Sequence, residues 1–215
     1  MDEYPAAPLT RLPKGRQVHL PGFVFSDDGL RKWLHGTGHG ELKWLGPGSL
    51  DCVDVSHNSL TDEGVEHLVK FLIAKKQSTK RMKLFHNRIR EPLALCDLVA
   101  DPVCGVGAED GLGELHLSHN LLRPRFLENL LDTIGRHLKD RSCWQRSPFW
   151  LRVEENADVF EAAGRLIETD YSGMRICTEA GPLDSKCGIR HCRHNADIHL
   201  VFHSKRDAAK QWWNG

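Results

Sequence analysis

The chain of 215 residues has no apolar run near the roughly 18 residues that a membrane-crossing helix requires. It also has no net charge: 29 basic residues balance 29 acidic ones, so no global field draws it toward nucleic acid or a membrane surface. A phosphate-loop pattern, a nucleophile elbow and the spaced His pair of helical zinc proteases are all missing, which removes the usual sequence grounds for an enzyme. The Gly-rich runs GTGHGELKWLGPG and GVGAEDGLG join no clear strand to a helix and read as turns. The seven Cys are odd in number, and Cys52 and Cys96 fall in a predicted strand and a predicted helix, so a secreted disulfide framework is not expected. The start MDEYPAAPLT is acidic and proline-bearing, unlike a secretory signal. These absences predict an intracellular, reduced protein with no membrane association and no catalytic site.

What the chain does have is a recurrence. Asn58, Asn87, Asn120 and Asn156 each follow an alternating apolar pair, Val53/Val55, Met82/Leu84, Leu115/Leu117 and Leu151/Val153. This is the L-x-x-L-x-L-x-x-N frame of a leucine-rich repeat, in which a short strand buries alternate side chains and a buried amide both donates and accepts hydrogen bonds. Six residues after each Asn come Gly64, Leu93, Phe126 and Ala162, and four later come Leu68, Asp97, Leu130 and Leu166; only Asp97 is wrong for a core. Val65/Leu68/Val69/Leu72 and Leu127/Leu130/Leu131/Ile134 have the spacing of one-faced helices. Pro92 and Pro124 suit first helical turns, and Asp27/Asp28 and Asp62/Glu63 suit the positive ends of theirs.

A fifth copy precedes these, with Phe23 where Asn is expected and SDDGLRKWL paralleling TDEGVEHLV; loss of the amide fits a terminal repeat. From Phe23 onward the spacings are 35, 29, 33 and 36, so three units carry inserts. Two of these, 100–111 and 136–148, are expected as surface loops, the second bearing Trp144 between Arg141 and Arg146. The organisation expected is a flexible arm at 1–15, a solenoid at 16–168 and a Cys/His-containing cap or tail at 169–215.

VDVSHNSLTDEGVEHLVKFL and LHLSHNLLRPRFLENLLDTI resemble repeats of the ribonuclease-inhibitor-like class of leucine-rich repeat proteins. The resemblance implies an α/β horseshoe of about five repeats, with a curved parallel sheet whose concave face binds protein partners. No motif beyond the repeat frame carries family site residues across.

Alternation along the strands identifies the outward row. Arg81, Lys83, Phe85, Glu114, His116, Trp150 and Arg152 are the candidate partner-binding residues, and Phe85 and Trp150 have no core role in the frame. His57, His86 and His119 each precede a ladder Asn and would line one rim about 4.8 Å apart. Side chains on one edge point in parallel, whereas a tetrahedral metal site needs them to converge, so these read as turn residues.

After 168 the frame lapses and Cys177, Cys187, Cys192, His194, His199 and His203 gather. Cys187 and Cys192 are separated by four residues and His199 and His203 by three, as in the halves of a zinc knuckle, but the gap between the halves is six residues against about 12 in a two-Cys/two-His finger. A structural zinc and a zinc-free cap both fit this composition. IHLVFH (Ile198 to His203) reads as a strand echoing VHLPGF (Val18 to Phe23), suited with MRIC to closing the end of the stack. The rival function is RNA binding, from Lys186, Arg190, Arg193, Lys205, Arg206 and Lys210 with Trp212 and Trp213, and from Lys75, Lys76, Lys80, Arg81 and Lys83.

Overall fold

The computed structural model describes residues 11–12, 15–36, 47–138, 147–178, 187–188 and 191–202. Strands and helices alternate along it: β1 (Arg11–Leu12), β2 (Gly15–His19), α1 (Asp27–His35), β3 (Gly48–Leu50), β4 (Cys52–Asp54), α2 (Asp62–Ala74), β5 (Gln77–Thr79) and β6 (Arg81–Lys83). They continue as α3 (Ala94–Ala100), β7 (Glu114–His116), α4 (Pro124–Leu138), β8 (Phe149–Arg152), α5 (Ala157–Glu161), α6 (Ala163–Glu168), β9 (Ile176–Cys177), β10 (Cys187–Gly188), β11 (His191–Cys192) and β12 (Ile198–Val201). No described helix is long and apolar enough to cross a membrane.

The chain is α/β, built on a mostly parallel sheet in the order β1-β2-β4-β6-β7-β8-β12-β9, in which only β1 runs antiparallel. Arg11, Leu12 and Gly15, expected in a flexible arm, therefore belong to the first two strands. Val18, Val53, Met82, Leu115, Leu151 and Leu200 are level across the sheet. All eight residues of the alternating apolar pairs are buried. Successive helices pack side by side, α1 on α2, α2 on α3 and α3 on α4. The sheet is not curled into the arc that the resemblance implies. Seven parallel strands span only about 29 Å at 4.8 Å each, too short a run for small rotations between repeats to build a horseshoe.

The four Asn side chains tie neighbouring repeats at constant offsets. Nδ2 of Asn58, Asn87, Asn120 and Asn156 donates to the carbonyls of Leu20, Val55, Leu84 and Leu117 in the preceding repeat, at 2.9–3.1 Å. Oδ1 accepts from the backbone N–H of Phe25, Leu60, Ile89 and Leu122. The residue before each Asn, His57, His86, His119 or Glu155, takes φ of 53–57°, and the first repeat has Gly22 there, which adopts φ 71° without a Cβ penalty.

A second set of ties was not anticipated. Asp27 accepts from the Thr61 N–H at 2.8 Å and its hydroxyl at 2.7 Å, and Asp62 accepts from the N–H groups of Arg90 and Glu91. These acids sit in first helical turns as expected, but each also binds the next repeat. Gly64 makes room for this, since a Cβ there would lie 2.3 Å from Asp27 Oδ1.

Two expectations need correction. Leu93 is 58% exposed, and the buried residues of α3 are Leu95, Leu98 and Val99. The turn at Pro92 delays the start of α3 to Ala94 and moves its apolar face one residue later than in α2 and α4, which also puts Asp97 in solvent. The insert at 100–111 is not wholly a surface loop, because Cys104 and Val106 are buried in the core. Asp101 accepts from the Val103 and Cys104 N–H groups and turns the chain inward there; burial pushes the Cys104 thiol up to about 12.

Candidate functional site

The outward face divides into two regions. In the first, charged residues pair with one another, across neighbouring strands and, for Arg152, along its own segment. Arg81 donates twice to Glu114, at 2.5 and 2.9 Å, Lys83 lies 3.1 Å from Asp54, and Arg152 donates to Glu154 at 2.8 Å. Burial raises the Glu114 pKa, but hydrogen bonds from His116 and Arg81 outweigh it and hold the carboxyl at about 2. Asp54 is likewise raised by burial and drawn below the ordinary carboxylate range by Ser56 and Lys83. Parallel in-register pairing produces the first two contacts, since it sets Arg81 opposite Glu114 and Lys83 opposite Asp54. Phe85 is half-buried and meets the His57 ring edge-on at a centroid distance of 5.0 Å.

His57, His86 and His119 stack along the rim as parallel rings, with centroid distances of 4.4 and 4.0 Å and interplanar angles of 19° and 10°. Burial and then the neighbouring imidazoles lower the His86 pKa. The rings lie face to face and do not converge on a point, so this row is not a chelating set.

The second region lies at the β8-β12-β9 end. Trp150, expected to stand open on the face, is only 5% exposed and packs with Cys177, Cys187, Ala196 and Val201. Cys187 and Ala196, from between β9 and β12, help to cover it. In this parallel arrangement the chain must cross from the end of β9 to the start of β12, and it does so through the β10–β11 hairpin, in which Cys187 faces Cys192.

Register extends the row of outward residues across β12 to β9. Glu114 is level with Trp150, Trp150 with His199, and His199 with Cys177. The echo between IHLVFH and VHLPGF set Ile198 with Val18; the sheet sets Leu200 there instead, a shift of two residues that preserves the face. Five of the candidate metal ligands therefore meet: the donor atoms of Cys177, Cys187 and His194 lie within 4.8 Å of one another, as do those of Cys177, Cys192 and His199. His203 lies outside the described residues.

Cys177 Sγ and Cys187 Sγ are 3.9 Å apart, well beyond the roughly 2.05 Å of a disulfide. Burial pushes the Cys192 thiol up, but the backbone N–H groups of Ala196 and His194 and the neighbouring thiols together bring it below the usual thiol value. N–H donors directed at a sulfur favour the thiolate, which is the form that binds metal. These residues lie close enough to form a metal site.

No protein-family model matches the chain, and no curated protein matches it.

The basic cluster of the second repeat is partly neutralised. Lys80 lies 3.4 Å from Asp110 and 3.7 Å from Asp51, and Arg81 and Lys83 are paired as above; Lys75 and Lys76 are exposed. Of the tail's basic residues, Arg193 is exposed, while Lys186, Arg190, Lys205, Arg206, Lys210, Trp212 and Trp213 lie outside the described residues, as do Arg141, Trp144 and Arg146.

Proposed function

We propose that the chain is a short leucine-rich repeat solenoid of the ribonuclease-inhibitor-like kind that works inside the cell as a non-catalytic protein-binding module. The observation that carries this reading is the asparagine ladder, which repeats the same donors and acceptors at the same offsets through four junctions. Such a stack offers an extended surface of strand residues to a partner. The partner surface is the outward face from Arg81 and Lys83 through Phe85 to Glu114, His116 and Arg152. Its charges are already paired and Phe85 is partly exposed, so a partner gains apolar contact there without stranding an ion. Trp150 has a different job, as the floor of the C-terminal cap. The cap includes a structural zinc, supported by the five clustered donors.

The test is affinity capture from native lysate with mass spectrometry, followed by binding measurements with the recovered protein. Phe85→Ala is expected to weaken binding by about 2 kcal/mol, close to thirtyfold in Kd. Unchanged affinity removes Phe85 as the anchor. Recovery of RNA alone, with affinity falling steeply as salt rises, would favour the RNA-binding alternative instead.

A further inference from the structure

We propose that Cys177, Cys187, Cys192 and His199 are the four ligands of the zinc ion, that His194 stays outside the tetrahedron, and that the ion fastens the β10–β11 hairpin onto Trp150. This assignment rests on the zinc reading above and adds which donors bind.

The five donors fall into two groups of three that share Cys177, and a structural zinc takes four, so the assigned set draws Cys187 from one group and Cys192 and His199 from the other. Cys177 belongs to both groups, so it is common to any set. Its sulfur is 3.9 Å from that of Cys187, and zinc–sulfur bonds of about 2.3 Å put the edge of a tetrahedron at about 3.8 Å. Cys187 is buried, and Cys192 faces it across the hairpin.

The choice is thus between the two histidines. His199 is fully buried, sits directly opposite Cys177 across the β9–β12 ladder, and lies against the Trp150 ring at a centroid distance of 5.2 Å. An imidazole anchored in a strand at that depth closes the site from inside, as a structural site requires. His194 is exposed in the turn after Cys192, and its backbone N–H is directed to the Cys192 sulfur. Its contribution is that N–H, which orients and stabilises a ligand from outside.

Three thiolates and one neutral imidazole leave a single negative charge on the zinc complex. The N–H groups of His194 and Ala196 meet part of it. The ligands come from β9, β10, β11 and β12, so one ion joins elements that share little core: the hairpin is two strands of two residues each, too short to hold its place by pairing alone.

The experiment uses the full chain purified in the presence of zinc. Elemental analysis is expected to give one zinc per chain, and the cobalt-substituted protein an intense tetrahedral spectrum with thiolate charge-transfer bands. In protein loaded with NMR-active cadmium, scalar coupling to an imidazole nitrogen is expected for His199 and not for His194. His194→Gln is expected to keep its zinc affinity. His199→Gln is expected to lose at least the roughly 100-fold that removal of a supporting group costs at its upper end. Coupling to His194, or the affinity loss in His194→Gln, overturns the ligand assignment and leaves the zinc reading standing. Absence of bound metal, or octahedral cobalt without thiolate bands, overturns both. If His199→Gln does not fold, the cadmium spectrum of the unaltered chain decides.

Discussion

Asn120→Ala removes one rung from the middle of the ladder, and the arrangement of its partners fixes what that costs. Asn120 donates to the carbonyls of Leu84, Leu117 and Ser118 and accepts from the Ile89 N–H. Each carbonyl keeps another donor after the substitution: Asn87 serves Leu84, Asn156 serves Leu117, and the His86 N–H serves Ser118. The Ile89 N–H loses the amide acceptor in a fully buried place. One orphaned donor costs about 1–3 kcal/mol, and the weakened carbonyls and lost volume add about another kcal/mol, for a total of about 2–4 kcal/mol. Asn120→Asp keeps the acceptor for Ile89 but turns a carboxylate oxygen toward three carbonyls, so at neutral pH it destabilises more than alanine. Its folded pKa then lies above the unfolded value. The penalty is full at pH above that raised value and shrinks as pH falls through it, because the neutral acid can donate again. Urea unfolding of both variants across pH measures this, with exposed Arg88→Ala as the reference. A loss under about 0.5 kcal/mol for Asn120→Ala, as at an ordinary surface position, refutes the reasoning. So does an aspartate variant that matches alanine at every pH.

Three further outcomes are expected. Gly64→Ala drives a Cβ into Asp27 and should cost about 1–3 kcal/mol in urea unfolding, with the penalty falling in an Asp27→Ala background; an unchanged penalty there disconnects Gly64 from the Asp27–Thr61 tie. Glu114, held at about 2 against an ordinary 4.5, contributes stability that is present above about pH 4.5 and is lost as pH falls toward 2. Glu114→Gln should remove that part of the pH dependence, and a profile identical to the parent's contradicts the assignment. Trp150→Ala should cost about 3–5 kcal/mol of stability while leaving partner affinity intact in the folded protein. Lost affinity at full stability would return Trp150 to the partner surface.

The strand positions were legible because period-two alternation and a polar residue at one fixed offset are local signals, and Val53, Met82, Leu115 and Leu151 lie where they put them. The phase of α3 was not, because Pro92 changes the length of a turn, and a one-residue delay leaves an apolar pattern that reads plausibly in either phase. The links made by Asp27 and Asp62 were hidden for another reason. An acid in a first helical turn already has a sufficient local role, and nothing in one repeat reveals a bond to the next. At the candidate metal site the residue types were visible, but their grouping depends on β12 lying between β8 and β9, which is a matter of strand order that spacing along the chain does not encode.

That strand order also has a meaning in time. From β2 to β8 each parallel strand of the main sheet is laid beside one already made, so the stack can lengthen as the chain leaves the ribosome. At β9 the rule breaks: the strand it pairs with, Ile198–Val201, is synthesised about twenty residues after it, and β8 waits for the same segment. Until those four residues emerge, the edge of β8 and the apolar side of Trp150 are open to other chains, the state in which unpaired strand edges invite misassembly. The last described strand is therefore a late-arriving keystone, and a chain stalled just before Ile198 is expected to aggregate more readily than one stalled after Phe202 has emerged.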